Sequence, residues 1–286
     1  MHNKPLDATA TSAVPQLHVS QKRKIKAIKY FVKKLPGVKP TWHIIRNTVY
    51  WFRYQSIIRE LYPVSTDKEL IRFGPRGDGG YLIPDDLDGI IACFSPGVSS
   101  ISGFEKDCAN RGIKVYLADA SVDAPAEADS LFVFSKKFIG GHVRKDFITL
   151  QQWVDQSVHA NADDYMIQMD IEGFEYEVLE HASAKFIDQF RIIVIEFHAL
   201  QYFSRKKLRV FKKLLATHYC VHIHPNNSRH SVKLFSLEVP PLMEFTFLRK
   251  DRIEDFSYRA DFPHPLDSDN TSNPSLPLPA CWYRQK

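Results

Sequence analysis

The sequence predicts an α/β fold: a doubly wound, mostly parallel seven-stranded sheet of Rossmann-like type, preceded by a helical basic arm. Two observations predict the sheet. The runs GIIACFS (89–95), IKVYLAD (113–119), YMIQMD (165–170), RIIVIEF (191–197) and YCVHIH (219–224) are short, apolar and rich in β-branched residues. Continuous apolar runs of that length suit strands buried on both faces, the environment of a parallel sheet. Between them lie segments with helical spacing: 102–112, ended by Gly112; 172–187, with Phe174, Val178, Leu179 and Ala182 on one side; and 204–218. Strands alternating with helices call for a sheet wound in both directions. A last strand, MEFTFLRKD (243–251), follows the Pro240-Pro241 break.

A third observation sets off the arm. Residues 1–62 hold twelve Lys/Arg against Asp7 and Glu60, a net of +10. The whole chain of 286 residues carries +5, so residues 63–286 carry −5. The body is mildly acidic, which excludes a uniformly basic nucleic-acid-binding surface. Residues 1–20, rich in Ala, Thr, Ser and Pro, are expected to be disordered. Residues 21–62 read as a basic amphipathic arm of two helices, 21–35 and 41–62, broken at Pro36-Gly37 and Pro40. Its aromatic and basic residues suit peripheral contact with a membrane surface; packing on the body with snorkelled arginines is the other reading. The main domain is expected over 63–256. The Pro/Ser/Asp/Asn-rich tail, 257–286, is expected to lie extended over it.

Composition narrows the rest. A hydrophobic fraction of 44% and a charged fraction of 25% are those of a globular chain. No run approaches the length of a membrane-spanning helix, and the N-terminus lacks the apolar core of an export signal. Cys93, Cys108, Cys220 and Cys281 are widely spaced, against a disulfide scaffold or a cysteine zinc site. A reducing, cytoplasmic location is expected, with membrane association through the arm.

Ligands of open α/β sheets bind at the carboxyl ends of the strands. The first strand ends in the turn Ser95-Pro96-Gly97-Val98-Ser99, where a ligand can approach the backbone. The second ends in Asp119, followed by Ala120-Ser121. An acid there, 22 residues after the glycine turn, suits a ribose diol; the bland alternative is a turn cap. Further strands end in Asp170, in Glu196-Phe197-His198 and in His222-Ile223-His224. Alternation puts Glu196 and His198 on one face, and likewise His222 and His224. The expectation is that three neighbouring strands bring these groups to one rim. For Glu172 and Glu175 the bland reading is complementation of a helix dipole.

The segments ITLQQWVDQ (148–156), MIQMDIEGFEYEVLE (166–180) and IIVIEFHAL (192–200) resemble the FkbM-like branch of S-adenosylmethionine-dependent methyltransferases. FGPRGDGGYLIPDDL (73–87), FSPGVSS with the following FE (94–105), VHIHPNN (221–227) and MEFTFLRKD support it by order and spacing over about residues 70–270. The sequence departs from the family pattern in three places. Gly97 is the one glycine of the first turn, Gln151 replaces the acid of a "TLD" element, and Gln168 replaces a lysine.

The resemblance implies methyl transfer from S-adenosyl-L-methionine to a hydroxyl of a sugar, glycan or other small molecule. Ser95, Gly97, Asp119 and Ser121 are the expected cofactor residues. Asp170, His198 and His224 are the expected catalytic residues, with a histidine as general base. Asp170, Glu196, His198, His222 and His224 are also the candidates for a divalent metal. The alternative is a non-catalytic or nucleotide-sugar-binding Rossmann-like protein that docks through its arm.

Overall fold

The computed structural model describes residues 42–98, 100–158 and 164–284, with the backbone alone for residues 42–50. The expected disordered segment 1–20 and helix 21–35 lie outside the described residues. Helix α1 spans Trp42–Glu60, and the compact body begins at Phe52. Tyr54, Ile57, Ile58, Leu61 and Tyr62 are buried in that body. The stretch 52–62, read from sequence as arm, therefore belongs to the core because its apolar side chains are consumed by packing.

Seven strands form the central sheet: β1 (Ala92–Pro96), β2 (Lys114–Ala118), β3 (Phe132–Ser135), β4 (Tyr165–Met169), β5 (Phe190–Phe197), β6 (His218–Pro225) and β7 (Met243–Arg249). Their order is β6-β7-β5-β4-β1-β2-β3. All pairings are parallel except those of β7, which runs antiparallel between β5 and β6. The expected doubly wound, mostly parallel sheet is present, and its winding reverses between β1 and β4.

Side-chain alternation divides the sheet into two faces. On one, Cys93, Val115, Met166, Ile192, Val194 and Leu248 form a core with Phe73, Tyr81, Phe104 and Cys108. This face is covered by helix α2 (Gly103–Asn110) and by the hairpin that pairs 70–73 with 81–84. The Thr246 hydroxyl on β7 donates to the carbonyl of Leu82 in that hairpin at 2.6 Å. On the other face Phe94 packs edge-on to Trp153 of helix α3 (Leu150–Ser157). Nearby, Phe197 and Phe245 meet Tyr176 of α4 (Glu175–His181) and Phe211 of a helix over Arg205–Thr217. Every site residue considered below on β1, β4, β5 and β7 belongs to the first face, under the hairpin.

The opposite, amino-terminal edge of β5 is stitched by charge. Arg191, 3% exposed, lies 2.9 Å from Asp164 and donates to the carbonyls of Asp86 and Asp88 at 3.0 and 2.7 Å. Arg252 grips Asp86 through two bonds of 2.8 Å. The tail runs from Ser257 to Arg284 with little regular structure, pinned by side-chain bonds to β6 and β7. Among the described residues no helix is long and apolar enough to cross a membrane.

Candidate functional site

The turn after β1 is fixed by a backbone contact that tolerates no side chain. Gly97 has φ +93°, and a Cβ there would sit 1.8 Å from the carbonyl oxygen of Asp170. The turn is thereby pressed against the end of β4. Asp119, at the end of β2, holds it from the other side. One carboxylate oxygen accepts from the Val98 amide at 3.1 Å, the other from the amide and hydroxyl of Ser121, both at 2.6 Å. Asp119 and Ser121 thus sit beside the Gly97 turn, and Asp119 acts there as the turn clamp that was the bland alternative.

Ser95 does not join them. It is fully buried, with its hydroxyl between Glu105 at 2.5 Å and Gln168 at 2.9 Å. Alternation turns it under helix α2, where burial pushes the Glu105 carboxyl up against the opposing bond from Ser95. Its assignment as a cofactor contact is corrected: it ties β1 to β4 and α2. The same bond explains Gln168, whose amide fits a pocket already holding a carboxyl.

The strand ends β4 and β5 bring three expected residues together. Donor atoms of Asp170, Glu196 and His198 all lie within 4.8 Å of one another. His198 Nε2 is 3.9 Å from Asp170, 3.5 Å from Glu196 and 3.3 Å from Glu172. Its Nδ1 is 3.1 Å from Glu175, whose side chain is fully buried. Asn226 Nδ2 donates to the second oxygen of Glu196 at 2.9 Å. These oxygen and nitrogen donors could hold a divalent cation.

Burial drives the electrostatics. It lifts Asp170 to about 7, with Glu172, Glu175 and Asp78 adding to the rise and His198 opposing it. It lifts Glu196 to about 8, helped by Asp170. For His198, burial pulls down, but Glu175 and the other carboxylates outweigh it and push the imidazole up to about 9. His198 is then protonated at neutrality. Within this group the carboxyls are raised toward neutrality and favour the cationic form of the imidazole.

His222 and His224 do not reach this group. Strand β7 separates β6 from β5, so the three strands expected to be neighbours are not. His222 donates through Nε2 to Asp267 of the tail at 2.8 Å, and His224 Nδ1 lies 3.6 Å from the same oxygen. The intervening position belongs to Glu244, in register with Glu196 on one side and His224 on the other. Its carboxyl, 5% exposed, is pushed up to about 7 by burial, and it accepts from Asn270 at 2.7 Å. A row of Asp170, Glu196, Glu244 and His224 therefore crosses four strands on one face. Glu244 was missed because the amino end of an antiparallel strand reaches the rim where parallel strands present their carboxyl ends. Asp267 carried no signal beyond being an acid in a tail. A cleft of about 330 Å³ opens beside Glu172, lined by Phe174, Tyr176, Ser204, Lys206 and Lys207.

Residues 98–232 match the Methyltransferase FkbM domain family. That segment is FkbM-like. The match begins at Val98, just after Gly97, and ends before β7, so Gly97, Glu244 and the tail stand outside the matched segment. A solved structure of the human methyltransferase 10 domain containing protein is similar over 82% of this chain and 99% of that one, at 7% identity and a TM-score of 0.27. No curated protein matches the chain.

Proposed function

We propose that this chain is an S-adenosyl-L-methionine-dependent O-methyltransferase acting on a hydroxyl of a sugar, glycan or other small molecule. One observation carries the reading. The glycine turn suited to the cofactor is packed directly against the carbonyl of Asp170, so the cofactor edge and the carboxylate–imidazole group are adjacent on one face. The FkbM match over residues 98–232 supports the methyl-transfer chemistry.

The residues fit the cofactor at its ribose, since Asp119 ends β2 beside the turn and Ser121 offers a hydroxyl in exchange. When bound, the cofactor supplies an activated methyl on a sulfonium, and the protein's part is alignment and proton handling. Asp170 and Glu196, carboxyls that burial makes more basic, would receive the proton that the acceptor hydroxyl gives up when the methyl passes from sulfur to its oxygen. The cleft beside Glu172 is the entry for the acceptor. On this reading residues 21–51, which precede the packed part of the arm, supply peripheral contact with anionic membranes.

Calorimetry and thermal shift with S-adenosylmethionine, S-adenosylhomocysteine, NAD and a nucleotide sugar test the reading. Stabilisation by the first two alone is expected. Stabilisation by the nucleotide sugar alone would favour the non-catalytic alternative, which the single glycine of the first turn supports.

A further inference from the structure

We infer that the cleft beside Glu172 binds an oxyanion, a phosphate or carboxylate group of the acceptor, on Lys206 and Lys207 at the start of the helix Arg205–Thr217. That the anion belongs to an acceptor rests on the methyl-transfer reading; the site itself stands on its own residues. Charge at the helix end is the first ground. A helix N-terminus carries about half a positive charge, so acids are the favoured residues of a first turn. Here the first turn has no acid and reads Arg205-Lys206-Lys207. Lys206 is exposed, and its ammonium forms no ion pair among the described residues. Cations beside a positive dipole end repel it and one another, and an anion seated among them relieves both.

Burial supplies the second ground. Lys207 lines the cleft and is only 8% exposed. Its ammonium donates to the Ala199 carbonyl and lies 4.5 Å from the ring centre of Tyr176, and no carboxylate pairs with it among the described residues. Buried charges are ordinarily paired; burial lowers this ammonium to about 8 against the pull of Glu175. An oxyanion in the cleft supplies the counter-charge. The third ground is an unused donor. Tyr176 lines the same cleft, 5% exposed, and its hydroxyl makes no hydrogen bond among the described residues. A buried hydroxyl without a partner is costly, and an oxyanion accepts from it.

The opposite wall fixes the orientation. Glu172 and Glu177 line it together with Phe174, whose ring is half-exposed. Carboxylates repel an oxyanion and accept hydrogen bonds from hydroxyls. A ligand with an anionic end and a hydroxylated end therefore lies one way only. Its hydroxyls face Glu172, which is 3.3 Å from His198 Nε2 and leads to the rim. A cleft of about 330 Å³ holds one small molecule of this kind. The substrate class is a phosphorylated or acidic polyol rather than a neutral one.

The test is a ¹H–¹⁵N NMR titration of the full chain without cofactor, with inorganic phosphate in one arm and acetate in the other. Saturable shifts of the amides of residues 204–207 are expected. Response to phosphate alone assigns a phosphorylated acceptor, and response to acetate alone a carboxylated one. Lys206→Ala and Lys207→Gln should each weaken binding roughly fivefold or more, the loss of a charge-assisted bond. Arg59→Ala, in the separate cleft that Arg59 shares with Arg284, should leave it unchanged. Circular dichroism melts identify any variant that fails to fold, and Lys206, being exposed, carries the comparison if Lys207→Gln does not fold. No saturable shift in either arm, equal affinity of the parent chain and Lys206→Ala, or loss of binding in Arg59→Ala would overturn the inference. Phosphate binding by a chain that does not bind S-adenosylhomocysteine would support the anion site and overturn only the methyl-transfer reading.

Discussion

Glu175 Oε1 lies 3.1 Å from His198 Nδ1, at the start of α4, and the carboxylate is wholly shielded from solvent. The glutamate of a first helical turn, which needs no explanation beyond dipole complementation, is here also the support of the rim imidazole. Glu175→Gln keeps the shape and removes the charge. It should lower kcat roughly 10- to 100-fold, the usual cost of losing an outer carboxylate partner. The dissociation constant for S-adenosylhomocysteine should stay within about twofold, because the cofactor edge is untouched. A parallel loss of both would make Glu175 a structural residue only.

The two glycines of opposite surroundings give a controlled comparison. Gly97 and Gly112 both have positive φ, +93° and +75°, but a Cβ at Gly112 meets nothing within 4 Å. Gly112→Ala should cost about 1–2 kcal/mol for the left-handed backbone alone. Gly97→Ala adds a collision with the Asp170 carbonyl, so it should cost more and abolish cofactor binding. Chemical denaturation and calorimetry on both variants check this; equal destabilisation would mean that the turn can move away from β4.

Asp119→Ala separates the two roles of that carboxylate. Loss of ribose bonds predicts a drop of about 2–4 kcal/mol in S-adenosylhomocysteine binding, near 30- to 1,000-fold. Loss of the Val98 and Ser121 bonds predicts a lower Tm. A lower Tm with unchanged affinity leaves only the clamp.

His218 sets an acid limb on stability. Its Nε2 bonds the Phe190 carbonyl at 2.7 Å, and burial pulls its pKa down to about 4. The unfolded chain takes up the proton near 6.5, before the folded one does. Stability from this group is complete above about pH 6.5 and is lost as pH falls from there through about 4, by about 3 kcal/mol in all. Urea midpoints measured from pH 8 to 4 should show that slope, and His218→Gln should flatten it.

Arg191 is the strongest candidate for a structural charge. Arg191→Met leaves the carbonyls of Asp86 and Asp88 without their donor, while Asp164, about one-third exposed, keeps Arg249 at 2.8 Å, so a loss of about 1–3 kcal/mol is expected. Unfolding in urea should report that loss, while S-adenosylhomocysteine affinity of the folded fraction stays unchanged, since Arg191 lies at the opposite strand end.

The legible parts of the fold were those written as local pattern. Buried runs such as RIIVIEF have one structural meaning in this length and context, so β1, β2 and β4 to β7 could be read directly. Strand β3, Phe132–Ser135, could not: it is a sheet edge with a half-exposed pattern, and nothing marks four such residues off from a loop. The site divided the same way. Asp170, Glu196 and His198 lie at ends of strands that pair directly, so local reading brought them together. The separation of His224 from them, and the arrival of Glu244, depend on where a later strand inserts, which no local pattern records. Ser95 was misplaced because its partner, Glu105, comes from a helix whose docking decides what lies above the strand.

Strand β7 is the last of the seven to leave the ribosome, yet it belongs inside the sheet. Until residues 243–249 emerge, β5 is an unpaired edge, and a run that includes Ile193, Val194 and Ile195 exposes open amide and carbonyl groups to other nascent chains. Strand β6 has no partner at all in that interval, since its sheet pairings are with β7. A polypeptide stopped at the end of the family match, residue 232, would hold all of Asp170, Glu196 and His198 and still lack a closed sheet. Emergence of residues 243–249 is therefore what joins β6 to the sheet, and a chain ended before them leaves the β5 edge open to other strands.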